Sequence, residues 1–69
     1  MEKHWEKVYS SVHLHKVEMI KGMLATKEIE SIIINRQDSF YKSVGEIELY
    51  VKCDNVLEAL QIINKATGE

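Results

Sequence analysis

A strict alternation of apolar and polar residues after Gly45 constrains the fold of this chain more than any other feature. The apolar positions are Ile47, Leu49, Val51 and Cys53, and the polar positions between them are Glu46, Glu48, Tyr50 and Lys52. Because successive side chains of a strand point to opposite faces, the pattern predicts a strand with one buried and one solvated face. Such a strand is stable only where other elements of the chain cover its apolar face.

Two segments with helical periodicity can provide that cover. Apolar residues recur at spacings of three and four in both: Leu14, Val17, Ile20 and Leu24 in the first, and Val56, Ala59, Leu60 and Ile63 in the second. Ser10 and Ser11 supply hydroxyl groups that suit the N-terminus of the first helix. Asn55 and Glu58 form a capping-box pattern before the second helix, and Gly68 suits its C-terminal cap.

Two further strands are predicted on either side of the first helix. Residues 5–10 contain Trp, Val and Tyr and predict a first strand, and the isoleucine-rich residues 29–35 predict a second strand that is buried on both faces. Residues 36–44 are polar and predict a loop. The order of elements is therefore β-α-β-β-α.

This order predicts an α+β fold of the ferredoxin-like, split β-α-β type, with the last strand of that fold absent. A right-handed β-α-β crossover makes its two strands parallel, so the first strand lies beside the third, and the second and third form a hairpin. Both helices are expected on one face of the sheet, and the first strand is expected at an open edge. The 69 residues leave room for one domain, residues 1–69.

Charge and composition exclude several classes of partner. The net charge is −2 and the pI about 5.9, whereas a dedicated nucleic-acid binder or a protein that docks on anionic lipid needs a basic surface. The chain has one cysteine and hence no internal disulfide. The N-terminal residues lack the apolar run of a signal peptide, and no aliphatic run approaches the length of a membrane span. A cytoplasmic protein, with neither nucleic acid nor membrane as a partner, is expected.

The spacing of reactive residues indicates neither catalysis nor metal binding. His13 and His15 would project about 200° apart on a helix and could not share a metal. Cys53 ends the apolar side of its strand and is expected to be buried and inert. Glu46 and Glu48 are neighbours on the polar strand face, where solvated carboxylates lack the pocket that acid–base catalysis needs. We therefore predict a non-enzymatic protein without catalytic residues, metal or cofactor.

The predicted loop, residues 36–44, is longer than the two to five residues, roughly, that usually join hairpin strands. It places Phe40 and Tyr41 among polar residues, while Arg36 can pair with an anion and Asp38 can cap a turn. Two interpretations are open: the aromatic side chains fold back over the sheet edge, or the loop recognises a partner or ligand. The candidate binding residues of the second interpretation are Arg36, Asp38, Ser39 and Tyr41.

The open edge of the sheet is a second candidate site. The first strand has no proline and only Glu6 and Lys7 as charged residues, so its unpaired backbone groups can template another strand. Trp5, Tyr9 and Tyr50 are candidate interface residues at this edge or on the uncovered sheet face, and the mixed alternation of the first strand leaves the directions of Trp5 and Tyr9 open. A homodimer, or a protein partner that adds a strand or covers the face, is expected.

Several stretches of this sequence resemble, in their order along the chain, those of a known family. They are Trp5-x-x-Val8-Tyr9-Ser10-Ser11, Ile20-Lys21-Gly22-Met23-Leu24, Asn35-x-x-Asp38-Ser39-x-Tyr41 and Gly45-Glu46-Ile47-Glu48-Leu49-Tyr50-Val51. Over nearly its full length the chain resembles a bacterial family of small proteins of unknown function that is labelled signal-transducing. That family is similar in fold to the nitrogen-regulatory PII (GlnB-like) proteins, which are ferredoxin-like. The resemblance implies a signalling or protein-interaction module, with a small-ligand sensor that acts as a PII-like homo-oligomer as the alternative.

Overall fold

The computed structural model describes residues 4–37 and 45–68, in which three strands and two helices follow the predicted order. The strands are β1 (Trp5–Ser11), β2 (Ser31–Asn35) and β3 (Ile47–Lys52), and the helices are α1 (Leu14–Thr26) and α2 (Val56–Thr67). A short 3-10 turn, Cys53–Asn55, joins β3 to α2. These elements confirm the α+β class.

β3 is the central strand of the sheet and pairs antiparallel with both β1 and β2. β1 and β2 therefore run in the same direction on opposite sides of β3, as expected for strands joined by a crossover helix. The pairing of β1 shifts by one residue between Lys7 and Tyr9, which places a bulge at Val8. Because a bulge adds one unpaired residue, it reverses the facing of the residues that follow, and this explains the mixed alternation of the β1 sequence.

One buried cluster fills the space between the sheet and the helices. It joins Ile47, Leu49 and Val51 of β3 to helical residues, which are Val17, Ile20, Leu24, Ala59 and Ile63. Because the three β3 residues point to one side of the sheet, both helices cover the same face. Full burial of one such aliphatic side chain contributes about 1.5–3 kcal/mol, so this covered face supplies most of the stability of the fold.

Leu60 was expected in the core, and that prediction is wrong, since Leu60 is 38% exposed. The line of α2 that faces the sheet runs through Val56, Ala59 and Ile63. A rotation of about 100° per residue turns Leu60 from this line onto the flank of the helix. Leu57, which is 79% exposed, lies on the same flank.

β2 differs from its predicted form in length and in burial. It begins at Ser31, two residues later than expected, and only one of its faces is packed. Ile33 packs against the core, whereas Ile32 is 37% exposed on the opposite face. The predicted burial of both faces is wrong because the described residues place both helices on one side of the sheet.

Glu28 and Ile29, between α1 and β2, belong to the C-terminal cap of α1. Glu28 has a φ of 62°, and its N–H donates to the Ala25 carbonyl at 2.9 Å. The N–H of Ile29 donates to the Leu24 carbonyl at 3.0 Å. This is the Schellman pattern, in which a left-handed residue ends the helix and an apolar residue after it packs back on the last turn. Ile29 and Leu24 are both buried and form that apolar contact.

The other predicted caps form only in part. Ser11 is the last residue of β1, and its hydroxyl accepts a hydrogen bond from the His13 N–H at 3.1 Å just before α1 begins. Asn55 is the N-cap residue of α2, but its side chain makes no capping hydrogen bond within the described residues, so the capping box is absent from them. Gly68 ends α2 in the left-handed conformation with a φ of 81°, as predicted. Cys53 is exposed, contrary to prediction, because β3 ends at Lys52 and the 3-10 turn breaks the alternation.

Candidate interaction surface

The outer side of β1 is an open strand edge. Its inner side pairs with β3 from Trp5 to Ser11, and the Cys53 N–H extends this contact by donating to the His4 carbonyl at 2.8 Å. Within residues 4–37 and 45–68 no strand pairs with its outer side. The backbone N–H and C=O groups of that side are therefore available to another strand.

The flank of α2 that carries Leu57 and Leu60 lies beside this edge. α2 packs mainly on β1 and β3, whereas α1 packs on all three strands. The opposite flank of α2, which includes Glu58 and Ile62, faces α1 across a hollow. Leu57 and Leu60 therefore point past β1, and they add exposed apolar surface to the open edge.

The sheet face opposite the helices is uncovered within the described residues, and we call it the open face. Directly paired residues of antiparallel strands lie on the same side, so the register assigns side chains to this face. They come from all three strands and are Trp5, Lys7, Ser10, Ile32, Ile34, Glu48, Tyr50 and Lys52. The open face thus combines aromatic, aliphatic and charged side chains.

Glu48 is the centre of a polar cluster on the open face. Its Oε1 accepts hydrogen bonds from Arg36 Nε and from the Tyr50 hydroxyl, both at 2.8 Å. Its Oε2 lies 3.6 Å from Lys7 Nζ. One carboxylate therefore ties β1, the central strand and the residue after β2 together. The side chain of Glu48 is only 14% exposed, so the expectation that polar residues of β3 are simply solvated does not describe it.

The cluster shifts the acid–base equilibria of its members. The hydrogen bond from Arg36, followed by that from Tyr50, lowers the pKa of Glu48 below its usual range. The same contact with Glu48 raises the pKa of Arg36 further above its ordinary value. Charge-assisted hydrogen bonds favour the ionised forms of both partners, so Glu48 stays a carboxylate and is not a proton donor at neutral pH.

A second polar contact holds Trp5 on the open face. Lys52 Nζ lies 5.7 Å from the centre of the Trp5 ring, a distance at which the ammonium interacts with the ring face. The same ammonium lies 3.1 Å from Glu30 Oε1. Trp5 and Tyr50 thus both occupy the open face, and Tyr9 does not. Tyr9 pairs with Leu49 and packs against the core, so it belongs to the edge strand but to the covered face.

The ends of the β2–β3 loop are fixed by local contacts. Asn35 Oδ1 accepts from the Gln37 N–H, and Gln37 Nε2 donates to the Val12 carbonyl, both at 2.9 Å. At the other end Gly45 has a φ of 87°, and a Cβ there would overlap the Arg36 carbonyl. Of the predicted loop site, Arg36 contacts Glu48, so its anion is supplied by the chain itself. The remaining three residues, Asp38, Ser39 and Tyr41, lie outside the described residues.

The described residues were compared with the requirements of a metal site and of a membrane-spanning helix. No group of three or more His, Cys, Asp or Glu side chains in them could hold a metal ion. Nor does either described helix have the length and hydropathy that crossing a membrane requires.

Sequence reasoning missed two parts of this surface. The role of Glu48 depends on the pairing register, which brings Lys7 of β1 and Arg36, after β2, to Glu48 and Tyr50 of β3. The exposure of Leu57 depends on which side of α2 faces α1, which the periodicity of the helix alone does not specify.

A comparison with protein-family models, with curated proteins and with solved structures finds no match for this chain.

Proposed function

We propose that this chain is a non-enzymatic, cytoplasmic signalling or protein-interaction module with a ferredoxin-like fold, of the kind found in the signal-transducing family that its sequence resembles. The observation that carries the proposal is the outer side of β1, which no strand of the described residues pairs with, beside the exposed flank of α2. Both features lie at one border of the molecule: the backbone groups of the edge can template another strand, and a partner there would remove the exposed leucine surface from water.

The charged residues of β1 do little to protect this edge. Lys7 points to the open face and approaches Glu48, and Glu6 is opposite Val51 on the other face. β1 contains no proline, and the bulge at Val8 interrupts its outer side at one position only. The outer side of β1 is therefore suited to strand addition, in which main-chain hydrogen bonds provide affinity.

The preferred occupant of the edge is a second copy of the chain. Antiparallel pairing of two β1 strands about a twofold axis would create one continuous sheet with all four helices on the same side. That arrangement brings the two α2 flanks together and removes Leu57 and Leu60 from water. A single interface thus satisfies the backbone of the edge and the apolar side chains beside it.

Sedimentation equilibrium at about 100 μM, well above a micromolar Kd, tests this proposal. The wild-type chain should be a dimer and Leu57→Glu should be a monomer, since two carboxylates would face each other across the twofold axis. Met19→Glu is the matched control, because Met19 is also an exposed apolar residue but lies on α1; it should remain a dimer. A monomeric wild-type chain, or a dimer that Leu57→Glu leaves intact, would contradict the proposed interface.

A small-ligand sensor that acts as a PII-like homo-oligomer is the second candidate. It is favoured by the β2–β3 loop, whose ends are fixed beside the Glu48 cluster by Gln37 and Gly45. A thermal-shift screen with nucleotides and small metabolites tests it, because a ligand at a hundred times its Kd stabilises the native state by about 2.7 kcal/mol. A screen in which no compound raises the Tm would argue against this candidate.

A further inference from the structure

A groove runs between α1 and α2 on the side of the molecule away from the open face. It consists of two hollows of about 370 and 500 Å³ that meet at Met23. The first extends towards Lys27 and Lys65, and the second towards Lys16 and Met19. From Lys16 to Lys27 the groove follows α1 for about 16 Å, or three helical turns.

The lining of the groove is apolar in the middle and basic at its rim. Met19, Met23 and Ile62 provide flexible or aliphatic surface, and Met19 is 56% exposed. The charged lining residues are three lysines and one glutamate, which are Lys16, Lys27, Lys65 and Glu58. This rim is positive although the whole chain carries a net charge of −2. Charge of this sign selects a partner with carboxylate groups.

The walls of the groove determine which secondary structure fits. The backbone groups of α1 and α2 are engaged within the helices, so the groove offers no ladder to an extended strand, whose own N–H and C=O groups would lose water without replacement. A helix satisfies its backbone internally and can place side chains at i, i+4 and i+7 into successive hollows. Methionine side chains adapt to the shapes of such anchors.

We propose that the α1–α2 groove binds an acidic amphipathic helix of another protein, with apolar anchors over Met19 and Met23 and carboxylates against Lys16, Lys27 and Lys65. Tyr9 of β1 lines the second hollow from the covered side of the sheet, but the groove does not include the outer side of β1 or the open face. The chain can therefore hold a second copy at its edge and a helical partner on its helix layer at the same time.

The test uses a defined probe, a stapled helical peptide of about 14 residues with leucine at i, i+4, i+7 and i+11 and glutamate on both flanks. Its matched counterpart carries lysine in place of glutamate. Fluorescence anisotropy measures the Kd of each peptide for the full chain, and NMR of the methionine methyl groups locates the contact. The acidic peptide should bind at least about tenfold more tightly than the basic one and weaken as salt is raised. The methyl resonances of Met19 and Met23 should shift.

Two charge reversals sharpen the test. Lys27→Glu should weaken the acidic peptide about fivefold or more, whereas Lys21→Glu, the same change on α1 outside the lining, should alter its Kd less than about twofold. Met19→Glu should also weaken the acidic peptide while leaving the dimer intact. Leu57→Glu should disrupt the dimer and leave the Kd of the acidic peptide unchanged. The groove proposal and the dimer proposal can therefore be contradicted independently of each other.

Several results would overturn the groove proposal. Equal affinity for the two peptides would remove the charge argument, and unshifted Met19 and Met23 methyl groups would place binding elsewhere. Binding of phosphatidylserine vesicles without binding of the acidic peptide would make the groove a lipid site. Concentration-dependent shifts of the two methyl groups in the absence of peptide would make a second copy the occupant.

Discussion

The two faces of the sheet are held in order by different physical means. On the covered face, Leu49 and its neighbours in β3 are fully buried against two helices, and stability comes from the removal of apolar surface from water. On the open face, Glu48 and Tyr50, which alternate with those buried residues along β3, are ordered by hydrogen bonds. Glu48 accepts one from Arg36 and one from the Tyr50 hydroxyl. The stability of the covered face depends mainly on the volume of its apolar side chains. The polar cluster of the open face depends instead on the register between the strands and on the ionisation of Glu48.

Removing volume from the covered face should have the largest effect. Leu49→Ala is expected to lower the free energy of unfolding by about 2–5 kcal/mol, because it opens a cavity at a fully buried site. Ile32→Ala removes a similar side chain from the open face, where Ile32 is 37% exposed, and should cost much less. Urea denaturation of the two variants checks the difference between the faces. Equal losses would contradict the assignment of the core to one face.

The backbone at Gly45, where the loop meets β3, should give the next largest effect. Gly45→Ala is expected to cost at least about 1–2 kcal/mol, since a φ of 87° and the overlap of a Cβ with the Arg36 carbonyl both oppose it. Gly22→Ala is the matched control: a Cβ there meets none of the described residues within 4 Å, so helix propensity should make it stabilising by up to about 1 kcal/mol. Thermal denaturation of both variants measures the contrast, and a neutral Gly45→Ala would refute the strained turn.

Ionisation should distinguish the open face from the covered one. Because the pKa of Glu48 is lowered in the folded protein, its contribution to stability is present above the usual carboxyl range and is lost as pH falls through the lowered pKa. Glu48→Gln should therefore be less stable than wild type at neutral pH, and the difference should shrink as pH falls below about 4.5. Urea midpoints measured from about pH 7 to about pH 3 check this. Glu46→Gln, which changes an exposed carboxylate just before the strand, is the control. A pH-independent difference would show that Glu48 acts by shape and not by charge.

The smallest effect is expected at the end of α1. Glu28 adopts a left-handed conformation that favours glycine, so Glu28→Gly should stabilise the protein by about 0.5–1 kcal/mol. Lys27→Gly, one residue earlier at a φ of −102°, should instead be destabilising. A differential scanning calorimeter resolves the two opposite shifts in Tm. A loss of stability in Glu28→Gly would contradict the Schellman cap.

The sequence allowed the covered face to be predicted more completely than the open face. The alternation from Ile47 to Val51 and the spacing of Val17, Ile20 and Leu24 predict buried positions directly, because burial follows from periodicity along one element. Leu60 was predicted wrongly because the width of a buried helical stripe depends on where the neighbouring helix lies. Cys53 was predicted wrongly because the end of β3 is set by the 3-10 turn after it.

The open face required information that no single segment contains. Glu48 meets Lys7 only because β1 pairs with β3 in one register, with a bulge at Val8 between the two halves of the pairing. The same bulge puts Trp5 on the open face and Tyr9 on the covered face. Periodicity in one strand cannot reveal a register between strands, so the sequence left the directions of both aromatic residues open.

Amide hydrogen exchange along β1, measured at two protein concentrations, tests directly whether the outer side of β1 is a pairing edge. At about 0.05 μM, well below a micromolar Kd, the amides of β1 that point away from β3 should exchange quickly, and at about 100 μM the same amides should become protected. The amides of β3 should be protected at both concentrations, since β3 is paired on both sides. Fast exchange of the outward β1 amides at both concentrations would contradict the dimer through this edge.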